Sequence, residues 1–194
     1  MDAQPVDLDA DTQRVLARLT ANPFLDPSMS IPQMRAAFEA FYAAMYAGIE
    51  PIVDIENRSI PGTHGRIPIR IYTPRATARG PMPVFMFIHG GGSIMGSLDS
   101  FDWVCQQLCA QSGCLVISVS YRLAPEHSFA MSVADCFHAL TWTAVNASGL
   151  GGDPTRLAIG GESGGGCLAA IVTQLVRERG GPPLAFQLLL YPYV

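Results

Sequence analysis

From Val84 onward the sequence switches between short, continuously apolar runs and longer amphipathic ones, and few architectures accommodate that alternation. "VFMFI" (84–88), "CLVISVS" (114–120), "RLAIG" (156–160) and "LAFQLLLY" (184–191) have strand length, whereas 99–113, 130–147 and 164–179 carry helical spacing. A strand that is apolar on both sides needs cover on both faces. Strands alternating with helices supply it through right-handed crossovers onto a mostly parallel sheet. The expected fold class is therefore α/β, with helices on both faces of the sheet.

Upstream the periodicity differs. From about Asp11 to Gly48 the pattern is helical, with Met34, Phe38, Phe41 and Met45 recurring at steps of three and four beside Tyr42 and Tyr46, and the proline-rich "ANPFLDPSMSIPQ" divides it into two pieces. Core packing accounts for most of this stripe, yet helices this aromatic can also roof a cleft. After Gly48 the period becomes two. "VDIENRSIPG" and "GRIPIRIYTP" read as antiparallel strands bounded by Pro and Gly. The expected organisation is one structural domain, with N-terminal cap helices over 1–48 and the sheet-bearing core over 49–194.

Composition narrows the function classes. With 194 residues, 49% of them hydrophobic and 14% charged, the chain can bury a core. A net charge of −4 with scattered arginines provides no footprint for a phosphate backbone, so no nucleic-acid partner is expected. No apolar run approaches the ~18 residues of a membrane span, and the aspartate-rich N-terminus is unlike a secretory leader, so a cytoplasmic chain without membrane association is expected. Cys105, Cys109, Cys114, Cys136 and Cys167 form no C-x-x-C pair; reduced, mostly buried thiols are expected, and no metal site.

Chemistry concentrates at three places. Gly161-Glu162-Ser163-Gly164-Gly165 matches G-x-S-x-G where a strand runs into a helix, a turn that projects the hydroxyl out of the sheet and aims free helix amides at it. Glycines in a helix interior cost roughly 0.8–1 kcal/mol each, and close approach of a ligand is one reason to tolerate three of them. Gly164-x-Gly166-x-x-Ala169 also fits the dinucleotide pattern formally, but the acidic residue about 20 positions on is lacking. His89-Gly90-Gly91-Gly92 follows a strand, and consecutive glycines let backbone amides converge as an oxyanion cradle does. Gly91 and Gly92, next to Gly90, would donate together with Gly164. "YRLAPEH" (121–127) reads as structural: Pro125 fixes a bend, and Arg122 and Glu126 suit buried backbone or each other.

The ordered set "HGGG", "GSLDSFD", "VSYRLAPEH", the serine elbow and "LLLYP" resembles the hormone-sensitive-lipase-like family of α/β-hydrolase carboxylesterases over most of the chain. The resemblance implies an N-terminal helical cap over the site and cofactor-free hydrolysis of small, short-acyl esters. It also implies Ser163 as nucleophile and Gly90, Gly91, Gly92 and Gly164 as the oxyanion hole, with His89, Ser93 and Glu162 as candidate lining. Relatives of this kind often dimerise through later sheet strands. The chain departs from the family pattern at Glu162 and Gly164, where Asp and Ala are common, at Ser93, where an aromatic often stands, and at Cys167, where Asn is usual.

An activated serine needs a base and an acid to orient it, and in α/β-hydrolases these follow in the order Ser, Asp or Glu, His. Beyond Ser163 the sequence has no histidine and no aspartate. His64 falls in a hairpin turn, His138 within a helix, and His89 and His127 in loops near the site, none where the fold would deliver a base. Two readings stand: an N-terminal portion of a carboxylesterase, truncated on the C-terminal side of its sheet, or a non-catalytic small-ligand-binding protein on the same scaffold.

Overall fold

The computed structural model describes residues 7–21, 23, 26, 28–75 and 80–193; residues 1–6 of the acidic N-terminus and residues 22, 24, 25 and 27 of the proline-rich break lie outside them. The elements run α1 (Ala10–Ala21), α2 (Ile31–Met45), β1 (Asp54–Ile60), β2 (Ile67–Thr73), β3 (Met82–Ile88), α3 (Asp102–Ser112), β4 (Leu115–Val119), α4 (Phe129–Asn146), β5 (Gly152–Glu162), α5 (Gly164–Arg179) and β6 (Phe186–Leu190). A single 3-10 turn, Ser148–Leu150, joins α4 to β5.

Six strands form one mixed sheet in the order β1-β2-β4-β3-β5-β6. The β1–β2 hairpin and the β2–β4 pairing are antiparallel, and from β4 to β6 every pairing is parallel. The inner strands β3 and β4 bury both faces, whereas the edge strand β6 is only half-buried, with Phe186 exposed. Val84, Met86 and Ile88 point to one core with Ile117, Ile159, Leu140 and Leu168, beneath α4 and α5. Phe85 and Phe87 point to the other with Phe38, Tyr72, Phe101, Cys105 and Val116, beneath α2 and α3. This two-sided burial is why the strand runs read as continuous rather than alternating.

Helix boundaries follow local chemistry. α3 ends on Gly113 at φ 69, and α5 on Gly180 at φ 71, the left-handed caps that glycine adopts without a Cβ clash. α2 starts with Pro32 in its first turn, and the Gln33 side chain accepts from the Ser30 N–H at 2.8 Å. β5 begins at Gly152, earlier than the apolar run "RLAIG" indicates, because Met82 pairs with Gly152 across a register shift in β3. α1 buries none of its residues, whereas α2 seats Phe38 and Phe41. All five cysteines are free, and Cys105, Cys109 and Cys136 are buried. Among the described residues no helix is long and apolar enough to cross a membrane.

Candidate active site

Ser163 sits between β5 and α5 at φ 50, ψ −120, a conformation that a residue with a Cβ adopts at a cost of about 1–3 kcal/mol. Its backbone is held on both sides: the Ser163 N–H donates to Leu190 O at 2.9 Å, and Ser163 O accepts from Cys167 N–H at 3.1 Å. The flanking glycines are explained by backbone approach rather than by a ligand. A Cβ on Gly161 would lie 2.5 Å from Ile88 O, one on Gly165 would overlap the Ile88 and His89 carbonyl oxygens, and one on Gly166 would sit 3.1 Å from Gly161 O. The start of α5 thus presses directly onto the end of β3. Gly164 differs: its Cβ would meet Gly92 Cα and N at 3.3 Å, so the residue after Ser163 backs onto the glycine loop.

That loop is organised by its carbonyls. His89 Nδ1–H donates to Gly90 O at 2.8 Å, and the Ile94 and Met95 N–H groups donate to Gly91 O at 3.1 and 2.9 Å. In a planar trans peptide the N–H points opposite to the preceding C=O. Pinning Gly90 O and Gly91 O therefore fixes the directions of the Gly91 and Gly92 N–H groups. Gly91 requires glycine, since at φ 99 a Cβ would overlap Met95 O.

His89 is buried, stacked on Tyr121 at 4.4 Å and on Phe101 at 5.6 Å, and Tyr121 Oη–H donates to His89 O at 2.9 Å. Burial drives its pKa from 6.5 down to about 4, only partly offset by the bond to Gly90 O. The imidazole is thus neutral near pH 7. Because the folded pKa lies below the unfolded one, protons favour the unfolded chain as pH falls from about 6.5 towards about 4. His89 should therefore withdraw about 2–3 kcal/mol of stability between pH 7 and pH 4.5. Urea unfolding of wild type and His89→Phe at both pH values tests this; parallel losses in the two proteins would exclude His89 as the source.

A cleft of about 340 Å³ opens over Ser163, lined by Phe38 and Tyr42 of α2, Gly91, Gly92, Ile94 and Met95 of the glycine loop, and Glu162. Of the three expected lining residues, Glu162 reaches the cleft, while His89 and Ser93 are buried and do not line it. Burial raises the Glu162 pKa, although the Tyr191 hydroxyl and the Gly90 amide hydrogen-bond its carboxylate. A Cβ on Gly90 would overlap that carboxylate. Desolvation, with Glu162 nearby, pushes the Tyr42 hydroxyl up to about 12. The aromatic stripe of α2 thus serves two ends, with Phe38 buried in the core and both Phe38 and Tyr42 lining the cleft.

"YRLAPEH" braces the site, with different partners from those its sequence suggests. Arg122 and Glu126 do not pair with each other. Arg122 Nη1 meets the buried Asp135 of α4 at 2.5 Å and Nη2 donates to His64 O at 2.6 Å, while Glu126 pairs with Arg35 of α2. Hydrogen bonds from Arg35 hold Glu126 down at about 2. Among the described residues no imidazole hydrogen-bonds to Ser163. His64 and His138 are exposed, the latter beside the Thr63 hydroxyl, and His127 lines a separate groove with Arg66 and Arg122. The arrangement offers a hydroxyl on a strained elbow, fixed backbone donors next to it and an apolar roof, which together suit attack on a carbonyl whose oxygen becomes anionic.

Comparison with known proteins agrees with this architecture. A family model for the alpha/beta hydrolase fold matches residues 85–194. Carboxylesterase NlhH of Mycobacterium tuberculosis is 45% identical over 144 residues, which cover 73% of this chain and 44% of the relative. Carboxylic ester hydrolase LipN of the same organism is 42% identical over 163 residues, covering 81% and 43%. The chain spans less than half the length of these curated relatives. The solved structure of a hyperthermophilic esterase from the archaeon Pyrobaculum calidifontis superposes with a TM-score of 0.89 at 37% identity, over 97% of this chain and 60% of that one. With more than half of its residues matched by the family model and the motifs in their structural places, the chain belongs to the hormone-sensitive-lipase-like group of the α/β-hydrolase family.

Proposed function

We propose that this chain carries the nucleophile and oxyanion half of a serine carboxylic ester hydrolase for small, short-acyl esters. The observation that carries the reading is Ser163, held at positive φ against the Gly90–Gly92 loop and under the apolar roof of α2. Ser163 Oγ would attack the ester carbonyl, the Gly91, Gly92 and Gly164 amides would receive the developing oxyanion, and loss of the alcohol would leave an acyl-serine for water to cleave. Serine acyl transfer of this kind uses no cofactor. The base and the acid would come from chain beyond residue 194 in a protein of the relatives' length, as the order Ser, Asp or Glu, His requires.

The test compares the 194-residue chain with the longer protein on p-nitrophenyl acetate and butyrate, with mass-spectrometric mapping of fluorophosphonate adducts. The longer protein should turn over both esters and be labelled at Ser163. The 194-residue chain should show little turnover, with a residual acceleration of up to ~10³ over water from its oxyanion donors. Equal rates for the two would refute the division of catalytic groups. A longer protein that binds short esters in the cleft without cleaving them would instead be a binding protein on this scaffold.

A further inference from the structure

Arg35, in the first turns of α2, sends its guanidinium in three directions. Its Nε–H donates to Ile94 O at 2.7 Å, Nη2–H donates to Ala124 O at 2.8 Å, and Nη1 and Nη2 face the Glu126 carboxylate at 2.9 and 2.7 Å. The Arg35 side chain is 27% exposed and that of Glu126 is 52% exposed. The carbonyl bonds are part-buried, whereas the carboxylate pairing is open to solvent.

The targets matter more than their number. Ala124 N–H donates to Ser93 O at 2.8 Å, so the Ser93–Ile94 segment is held through two consecutive carbonyls, one by the 121–127 loop and the other by α2. The amide of Ile94 is itself one of the two donors that pin Gly91 O. Through the planar peptide, Gly91 O sets the direction of the Gly92 N–H. A continuous series of bonds therefore runs from the cap helix to an amide facing the cleft. One turn further along α2, Glu39 accepts from Ser97 Oγ at 3.0 Å, a second tie between the same helix and the far end of the same loop.

We propose that Arg35 is a positioning residue for the oxyanion loop, so that the seating of cap helix α2 sets the direction of the Gly92 N–H. The proposal rests on the reading of Ser163 as nucleophile and of the glycine loop as its oxyanion cradle. A guanidinium suits the task because it stays charged and presents several donors in a fixed plane. An ammonium can satisfy only part of this set.

Three measurements test the proposal. In the longer protein, Arg35→Met, which keeps the apolar stem, should lower kcat on the order of 10²-fold, with KM changed by less than about threefold, because a misdirected donor acts in the transition state. Arg35→Lys should recover part of the loss. Glu126→Gln, which leaves both carbonyl bonds in place, should lower kcat by less than about threefold, as an exposed pairing would. A trifluoromethyl ketone that forms a tetrahedral adduct should lose affinity by the same factor as kcat/KM. Independently of catalysis, amide hydrogen exchange in the 194-residue chain should speed up at Ile94 and Met95 in Arg35→Met and stay slow in Glu126→Gln. A longer protein without esterase activity would overturn the proposed function, and the exchange measurement would still decide the clamp. An Arg35→Met chain with wild-type exchange at Ile94 and Met95, or an active enzyme in which that substitution raises KM alone, would overturn the positioning role.

Discussion

Ser163→Gly in the longer protein should give an enzyme that is more stable than wild type and without hydrolytic activity. Removing the attacking hydroxyl should cost about 10⁶ in kcat, as loss of a serine nucleophile does in a triad enzyme. Stability should move the other way. Ser163 stands at φ 50, ψ −120, and the strain there arises between its Cβ and its own backbone. Glycine removes that strain but loses more chain entropy on folding, roughly 0.5–1 kcal/mol. The balance should favour the glycine form by about 1 kcal/mol. Ser163→Ala separates the two effects, since it removes the hydroxyl and keeps the Cβ. It should match Ser163→Gly in lost activity and fall below it in urea midpoint. An alanine form at more than about 1% of wild-type kcat would contradict the nucleophile role. A glycine form less stable than the alanine form would contradict the strain.

This coupling of strain and chemistry explains which parts of the molecule were legible in the sequence. The alternation from Val84 onward was readable because the inner strands β3 and β4 bury both faces, in β3 Phe85 and Phe87 on one side and Val84, Met86 and Ile88 on the other, which leaves an unbroken apolar run. The glycine loop was readable because its backbone demand is local, Gly91 at φ 99 packing against Met95 O within the same loop. The elbow was readable from its G-x-S-x-G residues, although the Ser163 amide is held by Leu190 O, far along the chain. The partners of Arg122 and Glu126 were not readable. Arg122 reaches Asp135 and His64 O, and Glu126 reaches Arg35, which lies in a helix 91 residues earlier. Nothing in helical periodicity distinguishes a solvated arginine from one that grips a loop. The sequence marks the glycines after Ser163 as costly but does not carry the cause. Only the sheet register, with Ile88 paired to Gly161, shows that α5 starts against the carbonyls of β3.

The same register makes two adjacent glycines unequal, and substituting them should give results of very different size. Gly165→Ala should destabilise the chain by about 3–5 kcal/mol, at the severe end of single substitutions. Its new methyl would overlap the Ile88 and His89 carbonyl oxygens, main-chain atoms at the C-terminal end of a central strand. These cannot swing aside as a flexible side chain would. Relief requires α5 to lift from β3, and lifting α5 also moves Ser163 away from the Gly90–Gly92 loop. Gly164→Ala, one residue earlier, should change stability by less than about 1 kcal/mol, because helix propensity favours alanine by up to that amount. Its methyl meets Gly92 Cα and N at 3.3 Å, a contact that a shift of a few tenths of an ångström in the glycine loop relieves. Urea unfolding followed by circular dichroism measures both. A Gly165→Ala midpoint within error of wild type would mean that close approach of α5 to β3 does not fix the elbow. A Gly164→Ala chain as unstable as Gly165→Ala would mean that the glycine loop is held as rigidly as the strand from which it emerges.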